Sequence, residues 1–168
     1  MAHTRKPTMA ITMGDPAGIG PEITLKTIQD ERIHDICDPF VIGSADSLER
    51  AAEIQGVRDL KLNVITGPEQ ARNEFGPVAL LETGVEPDAT IGFGAIQVAA
   101  ARRAYSYIEK SIELGMAGRI DGVSTAPINK AALKAAEVPY IGHTEIYQAL
   151  TGSPYALTMF NVHKLRVF

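Results

Sequence analysis

Residues 13–23 read MGDPAGIGPEI and directly follow the short apolar run MAIT at residues 9–12. A short apolar run bounded by glycine and proline is typical of a buried β-strand. Pro21 suits the first turn of a helix, and the carboxylate of Glu22 complements the positive end of the helix dipole. The stretch therefore predicts a strand, a glycine-rich loop and a helix in succession, a junction that lies at the ligand-binding edge of α/β proteins.

Similar apolar runs recur along the chain and alternate with segments of helical periodicity. The predicted strands are 9–13, 39–42, 62–65, 78–81, 122–125 and 156–160, and the predicted helices are 21–29, 45–55, 94–117, 130–136 and 145–150. The longest helix rests on apolar residues at four-residue spacing from Ile96 to Ile112, with charged residues on another face. The alternation predicts an α/β fold of three layers, with a largely parallel sheet and strand 9–13 at its centre.

The composition excludes several classes of protein. The 168 residues are 45% hydrophobic and 21% charged, which is ordinary for a globular domain with a real core. The formal net charge of −4 gives no reason to expect nucleic acid or an anionic membrane as a partner. A single cysteine, Cys37, excludes an internal disulfide and fits a reducing compartment. With no secretory signal and no apolar run near the length of about 20 residues that spans a bilayer, we expect a soluble cytoplasmic protein.

The glycine-rich loop is interpreted as either a ligand loop or a structural turn. Gly14, Gly18 and Gly20 allow backbone geometries closed to other residues and let another group approach the main chain closely. The loop is not a phosphate-binding Walker loop, because no Gly-Lys-Ser/Thr follows, and it lacks the Gly-x-Gly-x-x-Gly spacing of the dinucleotide fingerprint. Asp15 could orient a ligand or could cap the turn, and the sequence leaves both roles open.

A second region rich in candidate residues runs from Ser124 to Gly152 and reads STAPINKAALKAAEVPYIGHTEIYQALTG. Lys130, at a predicted helix start, could hold a phosphate as a mobile point charge. His143 and Thr144 follow Gly142 at a loop–helix junction, where both side chains could contact a ligand. Thr144 could equally be a helix N-cap, and His143 could be a structural hydrogen-bonding residue.

The final residues, LTMFNVHKLRVF at 157–168, form two apolar runs that resemble a hairpin. We interpret them as a strand pair at the edge of the sheet or, with more weight, as the point where a longer protein has been truncated.

Three motifs in order resemble the N-terminal portion of the PdxA family: GDPAGIGPEI, then TAPINKAAL, then GHTEI. Members of this family are the 4-hydroxythreonine-4-phosphate dehydrogenases of vitamin B6 synthesis and relatives that act on phosphorylated sugar acids. The resemblance extends from about residue 9 to the last residue. The first motif is also similar to the GDGIGPE loop of isopropylmalate and isocitrate dehydrogenases, with an insertion between the glycines, which implies the fold that those enzymes share.

The resemblance implies a homodimeric enzyme that uses NAD or NADP and a divalent metal (Zn, Mg or Co) to oxidise a phosphorylated hydroxy acid. The resulting β-keto acid then loses carbon dioxide. A metal on the hydroxyl and carboxylate oxygens lowers the pKa of the alcohol and stabilises the enolate formed on decarboxylation, while the nicotinamide takes the hydride.

The resemblance also implies roles for particular residues. His143 and Thr144 match the adjacent His-Thr pair with which the family contacts its substrate, and Lys130 matches the basic residue of the preceding motif. Asn129 stands where many of the B6 enzymes carry histidine, which favours the branch acting on threonate or erythronate 4-phosphate.

The chain departs from the family pattern in one respect. Family members are much longer, and their metal-binding histidines lie beyond the His-Thr pair; His163 is not at a matching place. We therefore expect residues 1–168 to be the N-terminal part of a two-domain dehydrogenase, inactive alone, with the segments that complete the metal, cofactor and phosphate sites beyond residue 168. A non-catalytic binding or dimerisation module is the alternative; an ATP-dependent phosphoryl transferase is disfavoured because no lysine-bearing glycine loop is present.

Overall fold

The computed structural model describes residues 5–71, 75–84 and 91–168. In chain order the elements are β1 (Thr8–Thr12), α1 (Gly20–Ile28), α2 (Glu31–Ile36), β2 (Asp38–Gly43), α3 (Ala45–Gln55), β3 (Leu62–Val64), a 3₁₀ turn (Pro68–Gln70), β4 (Val78–Glu82), α4 (Val98–Met116), β5 (Gly122–Thr125), α5 (Lys130–Ala135), α6 (His143–Thr151), β6 (Phe160–Val162) and β7 (Leu165–Val167).

Strands β1 to β5 form one parallel sheet in the order β3-β4-β2-β1-β5. Successive side chains of a strand point to opposite faces of the sheet. In β2, Phe40, Val41 and Ile42 are all fully buried, so both faces of the sheet are covered there. The predicted α/β class and the internal position of the first strand, between β2 and β5, are confirmed.

The helices cover the sheet in two groups. Helix α1 packs against α3 and β2. Helix α4 packs against β1 and β2, and α5 and α6 pack against α4. Leu25 of α1, Leu48 of α3 and Tyr107 of α4 all belong to the main core cluster. Each fully buried side chain of this size contributes about 1.5–3 kcal/mol to stability.

Helix α4 begins four residues later than the sequence predicts, at Val98 instead of residue 94. Gly94 has a φ of +75° and Gln97 is extended, so neither belongs to the helix. The Gln97 side chain instead donates to the Gly92 carbonyl at 2.6 Å and accepts from its amide at 3.4 Å. Ile96, which the periodicity placed in the helix, is exposed on the loop before it.

The short helix α2 was not predicted. Its N-cap is Asp30, which accepts a hydrogen bond from the amide of Arg32 at 3.1 Å. The Arg32 guanidinium also holds the pKa of Asp30 down to about 2. A helix of six residues without a buried face leaves no apolar periodicity for a sequence pattern to detect.

The last predicted strand, 156–160, is wrong in position. Only Phe160 belongs to a strand, and β6 pairs with β7 in an antiparallel hairpin separate from the main sheet. The hairpin-like pair of apolar runs is thus confirmed, while its placement at the edge of the main sheet is not. Within the described ranges, no helix combines the length and apolarity needed to cross a bilayer.

Candidate functional site

Two loops meet at the carboxyl ends of the neighbouring strands β1 and β5. The amide of Ala126 donates to the Thr12 carbonyl at 3.0 Å, and the amide of Asp15 donates to the Pro127 carbonyl at 2.9 Å. These bonds continue the strand pairing past the end of the sheet. They join the glycine-rich loop to the segment that leads into α5.

The three glycines of the first loop differ in what they require. Gly14 has a φ of +76°, and a Cβ there would lie 2.4 Å from the Pro127 carbonyl oxygen. Gly20 needs no special φ, but its Cβ would lie 2.2 Å from the Met13 carbonyl oxygen. At Gly18 the atom nearest to an added Cβ would be the backbone carbonyl oxygen of Asp15 at 3.5 Å, an ordinary contact. A special backbone conformation or a close approach within the chain is therefore found at Gly14 and Gly20. At Gly18 the chain itself requires neither, and the approach of a ligand to its main chain stays a prediction.

Beside these loops lies an open cavity of about 600 Å³, within the range of small-molecule sites. Three segments line it: the loop at 15–19, the loop at 94–96 and the start of α5 at 127–130. Polar groups come from Asp15, Asn129 and Lys130. The exposed side chains of Ile19 and Ile96 supply an apolar rim.

Asp15 is the buried carboxyl of this cavity, with 6% of its surface exposed. Its Oδ1 accepts a hydrogen bond from the amide of Ala17 at 2.8 Å, so Asp15 does cap the turn as one of the two interpretations had it. Burial raises the pKa of Asp15 above its ordinary value, although the hydrogen bond from Ala17 works in the opposite direction.

Asn129 and Lys130 bring a hydrogen-bond donor and a positive charge to the same cavity. The Asn129 Oδ1 accepts from the amide of Ala132 at 3.0 Å and caps α5, so its amide NH₂ group can serve as a donor. Lys130 is exposed and begins α5 as predicted. Its stem passes Gly142, where a Cβ would lie 3.5 Å from Lys130 Cε.

His143 and Thr144 are the first residues of α6, and Gly142 is the N-cap residue. The N-cap interpretation of Thr144 is therefore wrong, because the helix begins at His143, two residues earlier than a helix capped by Thr144 would begin. Thr144 is exposed in the first turn. Ile146 is fully buried against Ile108 and Ile112 of α4 and fixes this end of α6.

The His143 imidazole is half-buried, and its Nε2 has no hydrogen-bond partner among the described residues. Burial lowers the pKa of His143, which favours the neutral ring at physiological pH. Buried polar atoms in proteins nearly always have a partner, so this ring nitrogen is expected to bond to a group other than the described residues.

The structure thus brings Lys130 both to the cavity and to the His143 segment, whereas His143 and Thr144 do not line the cavity themselves. Sequence reasoning missed the cavity-lining roles of Ile19 and Ile96, for which it had no signal. Asn129 was singled out through the family resemblance, and its role as N-cap of α5 could have been predicted from its place before a helix start.

Arg50 of α3 ties two walls of the cavity together. Its guanidinium donates to the carbonyl of Ile91 and, at 2.9 Å, to the carbonyl of Pro16. It also lies 4.6 Å from the centre of the Phe93 ring, within cation–π distance. The side chain therefore connects the glycine-rich loop to the loop that precedes α4.

A metal site is not formed by this part of the chain. Across residues 5–71, 75–84 and 91–168, no three His, Cys, Asp or Glu side chains gather closely enough to hold a metal ion. The residues present do not fit a divalent metal by themselves.

A cavity beside two loops at the carboxyl ends of parallel strands lies where α/β proteins usually bind small molecules. The chain belongs to the PdxA family: residues 35–168 match the family described as Pyridoxal phosphate biosynthetic protein PdxA. Its homologues are dehydrogenases, with the isocitrate dehydrogenase-like fold that the first motif implied.

Three relatives illustrate the similarity. A protein of Symbiobacterium thermophilum, provisionally named D-threonate 4-phosphate dehydrogenase, is 45% identical over 97% of this chain and 48% of its own length. A protein of the same provisional name from Halalkalibacterium halodurans is 42% identical over 98% of this chain and 49% of its own. The crystal structure of a 4-hydroxythreonine-4-phosphate dehydrogenase from Burkholderia phymatum superposes with a TM-score of 0.86 at 38% identity, over 97% of this chain and 49% of that one. The chain spans about half the length of the relatives that it matches.

Proposed function

We propose that the chain forms the first wall of the active site of an NAD- or NADP-dependent, divalent-metal-dependent dehydrogenase that oxidises and decarboxylates a phosphorylated hydroxy acid. His143, Thr144 and, with a less defined role, Lys130 bind the substrate. The dimer implied by the family resemblance and the cytoplasmic location expected from the sequence belong to the same proposal.

The observation that carries the proposal is the meeting of the second and third family motifs at Lys130. The lysine lines the cavity on one side and passes Gly142, next to His143, on the other. An anionic group held by the ammonium of Lys130 would lie on the side of the cavity near the start of α6. The neutral ring of His143 could then donate or accept a hydrogen bond through its unsatisfied Nε2.

Threonate or erythronate 4-phosphate is the preferred substrate in this proposal, with 4-phosphooxy-threonine as the alternative. The relatives at 45% and 42% identity carry the threonate name, whereas the solved structure at 38% identity carries the hydroxythreonine name. Asn129 lines the cavity, at the position where the family resemblance places histidine in many of the B6 enzymes.

In this proposal the described residues bind and orient the substrate. The metal requires further groups, since no three metal-binding side chains gather among the described residues, and the residues that hold the cofactor are left unassigned.

The test uses protein expressed from the complete reading frame. NADH or NADPH formation is followed with threonate, erythronate and 4-phosphooxy-threonine as 4-phosphates, with added divalent metal and with a chelator. We expect metal-dependent turnover of at least one of these compounds, fastest with threonate or erythronate 4-phosphate. Absence of turnover with all three would refute the proposal and favour the non-catalytic binding module.

A further inference from the structure

The burial and the hydrogen bonds of the Asp15 carboxyl support an inference that goes beyond the family assignment. With 6% of its surface exposed, it is buried, and it lines the cavity. Its Oδ1 is occupied by the amide of Ala17, but no hydrogen bond to Oδ2 is formed within the described part of the chain. The same part places no cation within ion-pair distance of it.

Capping the turn explains only one of the two oxygens of this carboxyl, Oδ1. Capping the turn needs one acceptor oxygen, which an asparagine would supply equally well without a charge. Burying a carboxyl that has no cation beside it is costly, and here burial disfavours its charged form. The second oxygen has no partner among the described residues and is not sealed from solvent, so a ligand in the adjacent cavity can reach it.

The cavity polarity indicates what Oδ2 would contact. Asn129 and Lys130 supply a donor and a positive charge, so the acidic groups of an anionic ligand belong near the start of α5. Asp15 supplies an acceptor, so the ligand must present a hydrogen-bond donor there. In threonate or erythronate 4-phosphate, the preferred substrates, the groups that can donate are the hydroxyls; in 4-phosphooxy-threonine the ammonium can donate as well.

Resting on the function proposed above, we propose that Asp15 is a substrate-binding residue whose Oδ2 accepts a hydrogen bond from a hydroxyl of the phosphorylated hydroxy acid. Its Oδ1 stays bound to the Ala17 amide, which fixes the direction of Oδ2. Asp15 thereby selects for a hydroxyl at one position of the carbon chain.

The test compares Asp15→Asn with the unmodified protein, both from the complete reading frame. Asparagine keeps an oxygen for the Ala17 amide, so its NH₂ group takes the place of Oδ2 and presents a donor where an acceptor is needed. Asp30→Asn is the matched control, because Asp30 also accepts from the amide two residues on, far from the cavity. Calorimetry measures binding of threonate 4-phosphate and of its 2-deoxy and 3-deoxy analogues.

We expect Asp15→Asn to weaken binding of threonate 4-phosphate about 10- to 100-fold, the range for a hydrogen bond to a charged group. One deoxy analogue should bind equally to the unmodified protein and to Asp15→Asn, and Asp30→Asn should change nothing. Should Asp15→Asn not fold, Asp15→Ser gives the same comparison, since a serine hydroxyl can also cap the turn.

Two results overturn the inference. Equal weakening of all three ligands would mean that Asp15 acts through the loop structure alone, and unweakened binding would mean that it makes no contact. Either result leaves the proposed function standing. If the unmodified protein binds none of the phosphorylated acids, the proposed function fails and this inference fails with it.

Discussion

Gly20 and Gly18 provide a matched pair of substitutions two residues apart. A Cβ on Gly20 would lie 2.2 Å from the backbone oxygen of Met13, about 1 Å closer than such atoms normally approach. Neither atom belongs to a flexible side chain, so the end of β1 or the start of α1 must move. A Cβ on Gly18 would meet only Asp15, and the nearest atom would be its backbone carbonyl oxygen at 3.5 Å.

We expect Gly20→Ala to destabilise the fold by about 3 kcal/mol, the upper part of the range for overpacking. For a protein of this size that corresponds to a decrease in Tm of about 6–12 °C. Gly18→Ala should change stability by about 0.5 kcal/mol or less, because the loss of unfolded-state entropy offsets any small crowding. Urea and thermal unfolding, followed by circular dichroism, measure both variants.

Equal effects of the two alanines would refute this reasoning. If Gly18→Ala were as damaging as Gly20→Ala, a loop-wide requirement for glycine would replace the specific contact with Met13. If Gly20→Ala were neutral, the close approach of the helix start to β1 would be incorrect.

Three further predictions concern the cavity and the residues around it. His143→Ala should lower kcat/KM by about 10- to 100-fold in protein from the complete reading frame, with little change in Tm. Thr144→Ala should cost less, and a lower Tm with unchanged kinetics for His143→Ala would contradict the substrate role. Arg50→Met should lower the free energy of unfolding by about 2–3 kcal/mol, because it removes charged donors to the carbonyls of Ile91 and Pro16. It should also accelerate amide hydrogen exchange in residues 92–97. Unchanged exchange in these residues would show that Arg50 does not hold the loop before α4. The raised pKa of Asp15 means that stability falls as pH rises from 3.8 through the folded-state pKa. Asp15→Asn should therefore raise Tm at pH 7, and the gain should disappear as pH falls toward 3.8; a gain independent of pH would contradict this.

The elements predicted most accurately from the sequence are the buried strands that consist of short apolar runs. Strands β1 and β2 are buried on both faces over most of their length, and their central residues are apolar. Strand β2 ends at Gly43, and Gly14 follows β1 two residues after its end. The start of α4 could not be read in the same way. Ile96 continues the four-residue spacing, but its side chain lies on the cavity rim and not in the core. Periodicity cannot distinguish an apolar residue exposed at a site from one that packs.

The site was predictable in its parts and not in its arrangement. Lys130 and His143 were identified through motifs, yet their proximity depends on how α5 and α6 pack on α4. That packing rests on long-range contacts such as Ile146 with Ile108, which no local pattern encodes. The link from Arg50 to Pro16 and Ile91 is equally non-local, since it joins residues 34 and 41 positions apart.

The pairing of β1 with β5 also sets the order in which the protein can assemble during synthesis. The amide of Thr8 bonds to Asp121, 113 positions further along the chain. At roughly 5–20 residues per second, a ribosome needs roughly 6–23 seconds to add that length. During this interval β1 can pair with β2, but its other edge has no partner and the Asp15 amide lacks the Pro127 carbonyl. The cavity beside the loops that follow β1 and β5 is therefore among the last parts of the fold to form. A chaperone that shields the open edge of β1 would act on the nascent chain in that interval.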